Sequence, residues 1–346
     1  MSPNAQQSSV DVVFDNYANN KQTFIIPLTF TDVTDGKDVL ERIGYGGDVW
    51  ELRVDLLSPT PQQADAVNLP PLSYVKDQLH ALQAMSPKPI LFTIRTKSQG
   101  GKFPDDAVKE ALDLMLLAVE NGVAYIDVEV EWPESLLSAI SAKKGASKLV
   151  ASYHSWTGKV AWTSQELMDK FDAANAFGDI IKLSILSATI EDCTDLSLFV
   201  RHYRLTHTKP LLAVGMGANG QLSRITSPIS LVTHKLIPSP SAPGQLSLAQ
   251  VHQARHLIGQ LPKQQYAVTG TAQTANVAAQ ALEAAFAELG YPYTCVVQTS
   301  TTGSVLDVTA LKTIEDAATA VGEAFIRLTG RPAPVSVILT SLSSWP

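Results

Sequence analysis

Cysteine is nearly missing: Cys193 and Cys295 are the only two among 346 residues, far apart and without partners at metal-ligand spacing. A disulfide framework is excluded, and no zinc site is suggested. Charge is sparse as well, at 17% of residues, and the 26 basic residues are outnumbered by 33 acidic ones for a formal charge of −7. No Lys/Arg block reverses that balance, so direct binding to nucleic acid is not expected. Nor does any apolar run approach the roughly 20 residues that cross a bilayer. Residues 1–20 are polar rather than signal-like and read as a flexible leader. The expectation is a cytoplasmic protein that does not enter a membrane.

What is present, 45% hydrophobic residues in an ordinary globular mixture, is enough for one large α/β domain with a smaller unit. The first strand signal is Thr23 to Phe30. In Val49 to Leu57, charged Glu51, Arg53 and Asp55 alternate with apolar residues, which puts the three charges on one face of a strand. The polar face of an antiparallel edge strand would give the same alternation. A helix over 72–85 leads to a strand at 89–95 and the glycine-rich loop 96–101. Helical spacing of Val108, Leu112, Met115 and Val119 follows, after Pro104 and two aspartates suited to a helix start. Strands are then expected at 124–130 and 149–154, and Thr163 with Glu166 has capping-box spacing for a helix ending at Phe177.

That helix delivers the chain to Asp179-Ile-Ile-Lys-Leu-Ser-Ile-Leu186, a buried-strand pattern with one lysine inside it. Alone, Lys182 reads most simply as a strand-end lysine reaching solvent. A helix over 192–206, strands at 210–216 and 229–233, a proline-rich loop at 238–245 and a helix capped by Ser247 and Gln250 complete the series. Eight strands alternating with helices over roughly 240 residues is the count of a (β/α)8 TIM barrel, whose active site lies at the C-terminal strand ends. No glycine fingerprint supports an open doubly wound sheet. After Pro262 a small α/β unit of βαβαβ pattern is expected over 263–346, with its last helix near 314–328 and its last strand at 335–339.

The strand ends of the barrel, 21–262, collect Glu51, Arg53, Arg95, His154, Lys182 and Arg224, with Ser241 and Gln245 in the loop beyond. An amine beside an imidazole, with guanidinium groups to hold a carboxylate, suits carbonyl chemistry through an imine. The ordered motifs Glu51-Leu-Arg-Val-Asp55, Thr93-Ile-Arg-Thr-Lys-Ser-Gln-Gly-Gly101, Tyr125-Ile-Asp-Val-Glu129, Ser152-Tyr-His154, Asp179-Ile-Ile-Lys182, Met216-Gly-Ala-Asn-Gly-Gln-Leu-Ser-Arg224 and Ser241-Ala-Pro-Gly-Gln245 closely resemble type I 3-dehydroquinate dehydratase. The resemblance is strongest to the dehydroquinase domain of the fungal pentafunctional shikimate-pathway protein.

That resemblance implies a Schiff-base dehydration of 3-dehydroquinate to 3-dehydroshikimate with no metal or organic cofactor. Lys182 is the implied nucleophile and His154 the proton relay. Arg224 is assigned the substrate carboxylate, Glu51, Arg53, Arg95, Ser241 and Gln245 the ring hydroxyls, and Met216 a place in the pocket wall. Gln99 and Asp127 take orienting roles, Gln99 toward the histidine, where bacterial relatives usually carry Glu; an amide holds the ring without raising its basicity. Burial and nearby arginines are expected to favour a partly neutral Lys182. His80, His202, His207, His234, His252 and His256 match no motif position. The implied partners are the substrate and a second copy in a homodimer.

The tail resembles the opening of shikimate dehydrogenase, but Thr269-Gly-Thr-Ala-Gln-Thr-Ala275 stands where that family has Ser-x-Ser, and no GxGxxG stretch follows. Dehydrogenase activity is therefore not expected. The same degeneration supports an alternative, a fungal quinate-pathway repressor that senses metabolites with this barrel, binds a transcriptional activator and enters the nucleus.

Overall fold

A computed structural model describes residues 11–60, 67–270, 272–299 and 339–341. They form two compact units, one drawn from positions up to 38 and 47–245, the other from 39–46 and positions from 246 onward. In the first unit, strands β1 (Thr23–Leu28), β2 (Val49–Arg53), β3 (Ile90–Thr93), β4 (Tyr125–Glu129), β5 (Lys148–Ser155), β6 (Ile180–Leu186), β7 (Leu211–Met216) and β8 (Ile229–Leu231) make one parallel sheet in the order β7-β6-β5-β4-β3-β2-β1-β8. Sequential strands are neighbours, β8 returns to β1, and β7 also touches β8, so the sheet curls into the (β/α)8 barrel. Helices α3 (Leu72–Met85), α4 (Val108–Glu120), α5 (Glu134–Lys143), α6 (Gln165–Phe177), α7 (Asp192–Thr206) and the short α8 (Gln221–Thr226) follow β2 to β7 in turn.

Three expectations about local structure change. The leader is not flexible where it is described: α1 (Val12–Ala18) is a helix, capped by Asp11, which accepts from the backbone N–H of Val13 and Phe14. Its Val13 is buried with Ile25, Val49, Leu91, Tyr125, Val150, Ile180, Leu212 and Ile229, the inward residues at the strand starts, and the Tyr125 hydroxyl donates to Asp11 at 2.5 Å. Val13, with Val12 and Phe14 packed around it, and the capping Asp11 thus fasten α1 to the bottom of the barrel. A seven-residue helix has too few internal hydrogen bonds to persist alone, so this packing accounts for it. At α6 the cap is Ser164, accepting from Leu167 N–H, one residue beyond the expected Thr163. Likewise β2 stops at Arg53, and Asp55 lies in a 3₁₀ turn rather than on the strand face.

The second unit contains α2 (Leu40–Ile43), α9 (Leu248–Leu257), β9 (Gln264–Gly270), α10 (Ala272–Leu289), β10 (Tyr293–Thr299) and β11 (Leu339–Ser341). It takes in α9, which the expected boundary at 262 placed in the barrel. Ser247 and Gln250 form the expected reciprocal capping box there. β9 and β10 are parallel, joined by α10 as a βαβ crossover requires, whereas β11, described over 339–341, runs antiparallel to β9; the expected strand positions 335–338 lie outside the described residues. The helix expected at 314–328 lies outside the described residues. Within this unit His252 Nδ1 donates to Leu289 O at 2.7 Å and the ring stacks on Tyr291, a packing role for one of the histidines that no motif claims. Among the described residues no helix is long and apolar enough to cross a membrane.

Candidate active site

Period two along the barrel strands builds the site in layers. The inward residues at the strand starts are apolar, as above. Two residues further on, the positions become Glu51, Thr93, Asp127, Ser152 and Lys182, and two further still Arg53, Arg95, Glu129, His154 and Ser184. The β5–β6 register sets Ser152 beside Lys182 and His154 beside Ser184. An apolar base therefore carries two polar layers, which face the C-terminal end of the barrel.

In the lower polar layer Lys182 Nζ donates to Asp127 Oδ2 at 2.8 Å and to Glu51 Oε1 at 3.3 Å, and Glu51 Oε1 also accepts from Thr93 Oγ1 at 2.9 Å. Lys182 is 2% exposed, so it does not reach solvent along the strand end. The groups against its ammonium are carboxylates, not the arginines expected from sequence. Arg95 runs beside them: Nη2 donates to Asp127 Oδ1 at 2.7 Å, and Nη1 to Glu129 Oε1 at 2.6 Å and Ser152 Oγ at 3.2 Å. Burial alone would raise the Asp127 carboxyl, but Arg95 and Lys182 together hold it down at about 2. Glu129 is pushed up by burial, which Arg95 and the two donors of Thr96 only partly offset. Arg53 is clamped by Asp55 through two bonds of 2.8 Å.

His154 sits in the upper layer. Its imidazole is held well below the ordinary histidine range, first by burial and then by the positive charges of Arg95, Lys182 and Arg53. The ring is neutral at pH 7. Gln99 Oε1 lies 3.1 Å from Nδ1 and accepts from the His154 backbone N–H at 3.0 Å. An oxygen acceptor at Nδ1 requires the proton there and leaves the Nε2 lone pair free. The loop carrying Gln99 needs its glycines: Gly100 has φ +86°, and a Cβ there would lie 2.3 Å from the Trp156 ring, while one on Gly101 would lie 2.1 Å from Arg95 O. Trp156 closes that wall by donating Nε1–H to Gln99 O at 2.9 Å.

Arg224 differs from the other two arginines. It is 2% exposed, yet among the described residues no carboxylate pairs with it; Nη2 donates to Pro243 O at 3.3 Å and Nε has no partner. Burial without a counter-ion lowers its guanidinium to about 10. Glu51, Arg53, Arg95, Gln99, His154, Lys182, Met216, Arg224 and Ser241 all line one cleft that opens at the C-terminal end of the barrel. Asp127 lies beneath that cleft, against Lys182. Gln245 is not part of its wall and instead accepts from Ser241 N–H at 2.8 Å, with its own Nε2 unpartnered. Sequence reasoning did not single out Glu129, Ser152, Trp156 or Ser184. The first two were signalled by period two from Asp127 and His154, the last by period two from Lys182, and Trp156 by nothing local. Among the described residues no cluster of three His, Cys, Asp or Glu is placed to hold a metal ion.

A (β/α)8 barrel with a lysine, an imidazole and an uncompensated guanidinium in its C-terminal mouth is the class that this fold and site define. Its architecture is that of 3-dehydroquinate dehydratase from Geobacillus kaustophilus, with a TM-score of 0.59 at 20% identity over 69% of this chain and 91% of that one. The pattern of the type I 3-dehydroquinase family matches residues 24–262, and the chain belongs to that family. The pentafunctional AROM polypeptide of Mycosarcoma maydis is 40% identical over 284 residues, 82% of this chain and 17% of that polypeptide. The dehydroquinate dehydratase and shikimate dehydrogenase of S. pombe AroM is 32% identical with a TM-score of 0.77, over 84% of this chain and 54% of that one. The chain thus spans only part of either fungal relative. These relatives carry enzyme names, and the repressor alternative has no support among them.

Proposed function

We propose that the barrel dehydrates 3-dehydroquinate to 3-dehydroshikimate through a Schiff base on Lys182. The observation that carries this reading is Arg224: a buried guanidinium without a carboxylate, in the same cleft as Lys182 and a neutral His154. A substrate carboxylate supplies the missing charge and fixes the ring, leaving its ketone for the lysine. Lys182 first yields a proton to His154, since an ammonium held by Asp127 and Glu51 is no nucleophile. The amine then adds to the carbonyl carbon, His154 protonates the departing hydroxyl, and water leaves to form an iminium. The iminium acidifies the neighbouring C–H, whose proton passes to His154 Nε2. The hydroxyl on the next carbon departs as water with that proton, and hydrolysis of the imine releases product and restores Lys182. Asp127 and Glu51 stabilise the cationic iminium as they did the ammonium. The free thiols Cys193 and Cys295 fit a cytoplasmic protein.

Borohydride reduction in the presence of 3-dehydroquinate tests the chemistry: the reduced adduct should map to Lys182 by peptide mass, from a protein that also turns substrate over. Binding without turnover, or an adduct elsewhere, would sink the reading. A second expectation concerns Arg224→Met. It should lower kcat/KM by about 100-fold, mostly through KM, because a charge-assisted bidentate contact is lost. The same change should leave the ligand-free protein as stable as before or more so in urea, because a desolvated, unpaired guanidinium is removed. A clear loss of stability would contradict the account of Arg224 as a group awaiting its anion.

A further inference from the structure

The bond that holds His154 continues outward. Gln99 uses its oxygen for both N–H groups of His154, which turns its amide nitrogen away from the ring, and Nε2 donates to Glu131 Oε2 at 3.2 Å. Glu131 stands two residues past the end of β4; its other oxygen, Oε1, accepts from Lys170 Nζ of α6 at 2.7 Å. That ammonium lies 5.1 Å from the centre of the Tyr153 ring, on the residue before His154. A chain of four side chains therefore runs from the imidazole to the surface, and the reaction described above uses only its first two members.

We propose that Glu131 is a positioning residue for His154, acting through the Gln99 amide, and that Gln99 and Glu131 work as one coupled pair. The kinetic consequence rests on the dehydratase reading; the geometric one does not. An amide can turn over, presenting Nε2 where its oxygen was. Here both ends resist that: the flipped amide would set N–H against the His154 N–H and an oxygen against the Glu131 carboxylate. A carboxylate accepting from Nε2 also polarises the amide, so Oε1 becomes a stronger acceptor for the Nδ1 proton. The negative charge that an amide lacks is thus supplied one group further out. The pairing explains why position 99 suits Gln in this chain. A carboxylate there would face the Glu131 carboxylate at hydrogen-bond distance, and one of the two would have to turn away or take up a proton.

Glu131 is well exposed, with 42% of its side chain accessible, so its replacement leaves the core intact. The test compares the full chain with Glu131→Ala, Glu131→Gln, Gln99→Glu and the double variant Gln99→Glu/Glu131→Gln. The ring nitrogens of His154 are followed by ¹⁵N NMR, assigned among the seven histidines with His154→Gln. Glu131→Ala should move those shifts toward a mixture of tautomers, and should lower kcat about tenfold with KM changed less than about twofold. Gln99→Glu should cost about tenfold in kcat, and the double variant should recover to within about threefold of wild type, since the clash is gone. An unchanged ring spectrum in Glu131→Ala, or a double variant showing the product of its two single losses, overturns the coupling. If the wild-type protein proves not to turn over 3-dehydroquinate, the dehydratase reading falls, while the ring spectrum still decides for or against Glu131.

Discussion

Lys182→Met should abolish turnover, by about 10⁴-fold or more, and remove the borohydride adduct altogether. Methionine keeps most of the lysine's volume in a strand whose neighbours are buried, so packing along β6 is preserved. What is lost is the nucleophile, and among the described residues no other amine lines the cleft to replace it. Removing a covalent catalyst costs far more than removing a contact, because the whole route to the product changes. The substitution also takes the ammonium from Asp127 and Glu51. Asp127 still has Arg95 and Ser152, and Glu51 still has Thr93, so each keeps a partner. Binding of a carboxylate-bearing product through Arg224 should survive, measured by calorimetry, which separates loss of chemistry from loss of the pocket. Residual turnover within tenfold of wild type would mean that the imine is not on the pathway.

The barrel was legible because its signals are local and repeat. Each strand from β1 to β8 is marked by a short apolar run and each crossover by a helical period, and eight of them leave few other closed arrangements. The site was legible for the same reason, since period two from Glu51 or Asp127 places side chains on the inner face without knowledge of any neighbour. What sequence did not show depends on contacts between distant segments. Nothing in Asp11 to Ala18 announces a helix, because its stability comes from Val13 entering the barrel floor and from Tyr125, more than a hundred residues away. The charge environment of Lys182 was misjudged in the same way. Arginines are prominent in the motifs, but their guanidinium groups turn to Asp55, Asp127 and Glu129, and the lysine is left against carboxylates. Linear order gives the inventory of charges; only the layering gives their pairing. Of the three arginines, Arg224 alone has no carboxylate partner among the described residues; the family motif set it apart, but no spacing in the sequence shows which guanidinium is left unpaired.

Arg95→Met should be the most destabilising single change in the site, about 3–5 kcal/mol at pH 7, because it strips one buried guanidinium from two buried carboxylates. Its effect should also depend on pH with a definite sign. In the wild type Asp127 is held at about 2 against an ordinary value of 3.8, so its contribution is fully present above pH 3.8 and is lost as pH falls through about 2. That difference corresponds to about 2 kcal/mol. Without Arg95, Asp127 loses the largest charge that holds it down and keeps Lys182 and Ser152, while Glu129, already raised by burial, loses its strongest offset and keeps Thr96. Glu129 then sits further above its unfolded value, and a group of that kind destabilises the fold at high pH and is relieved as pH falls through its folded value. The gap between variant and wild type should therefore be widest near pH 7 and narrow toward pH 4.5. Urea unfolding followed by tryptophan fluorescence at the two pH values measures it. Equal destabilisation at both would mean that Arg95 acts through packing, and that the two polar layers are not held together by the charge it places between them.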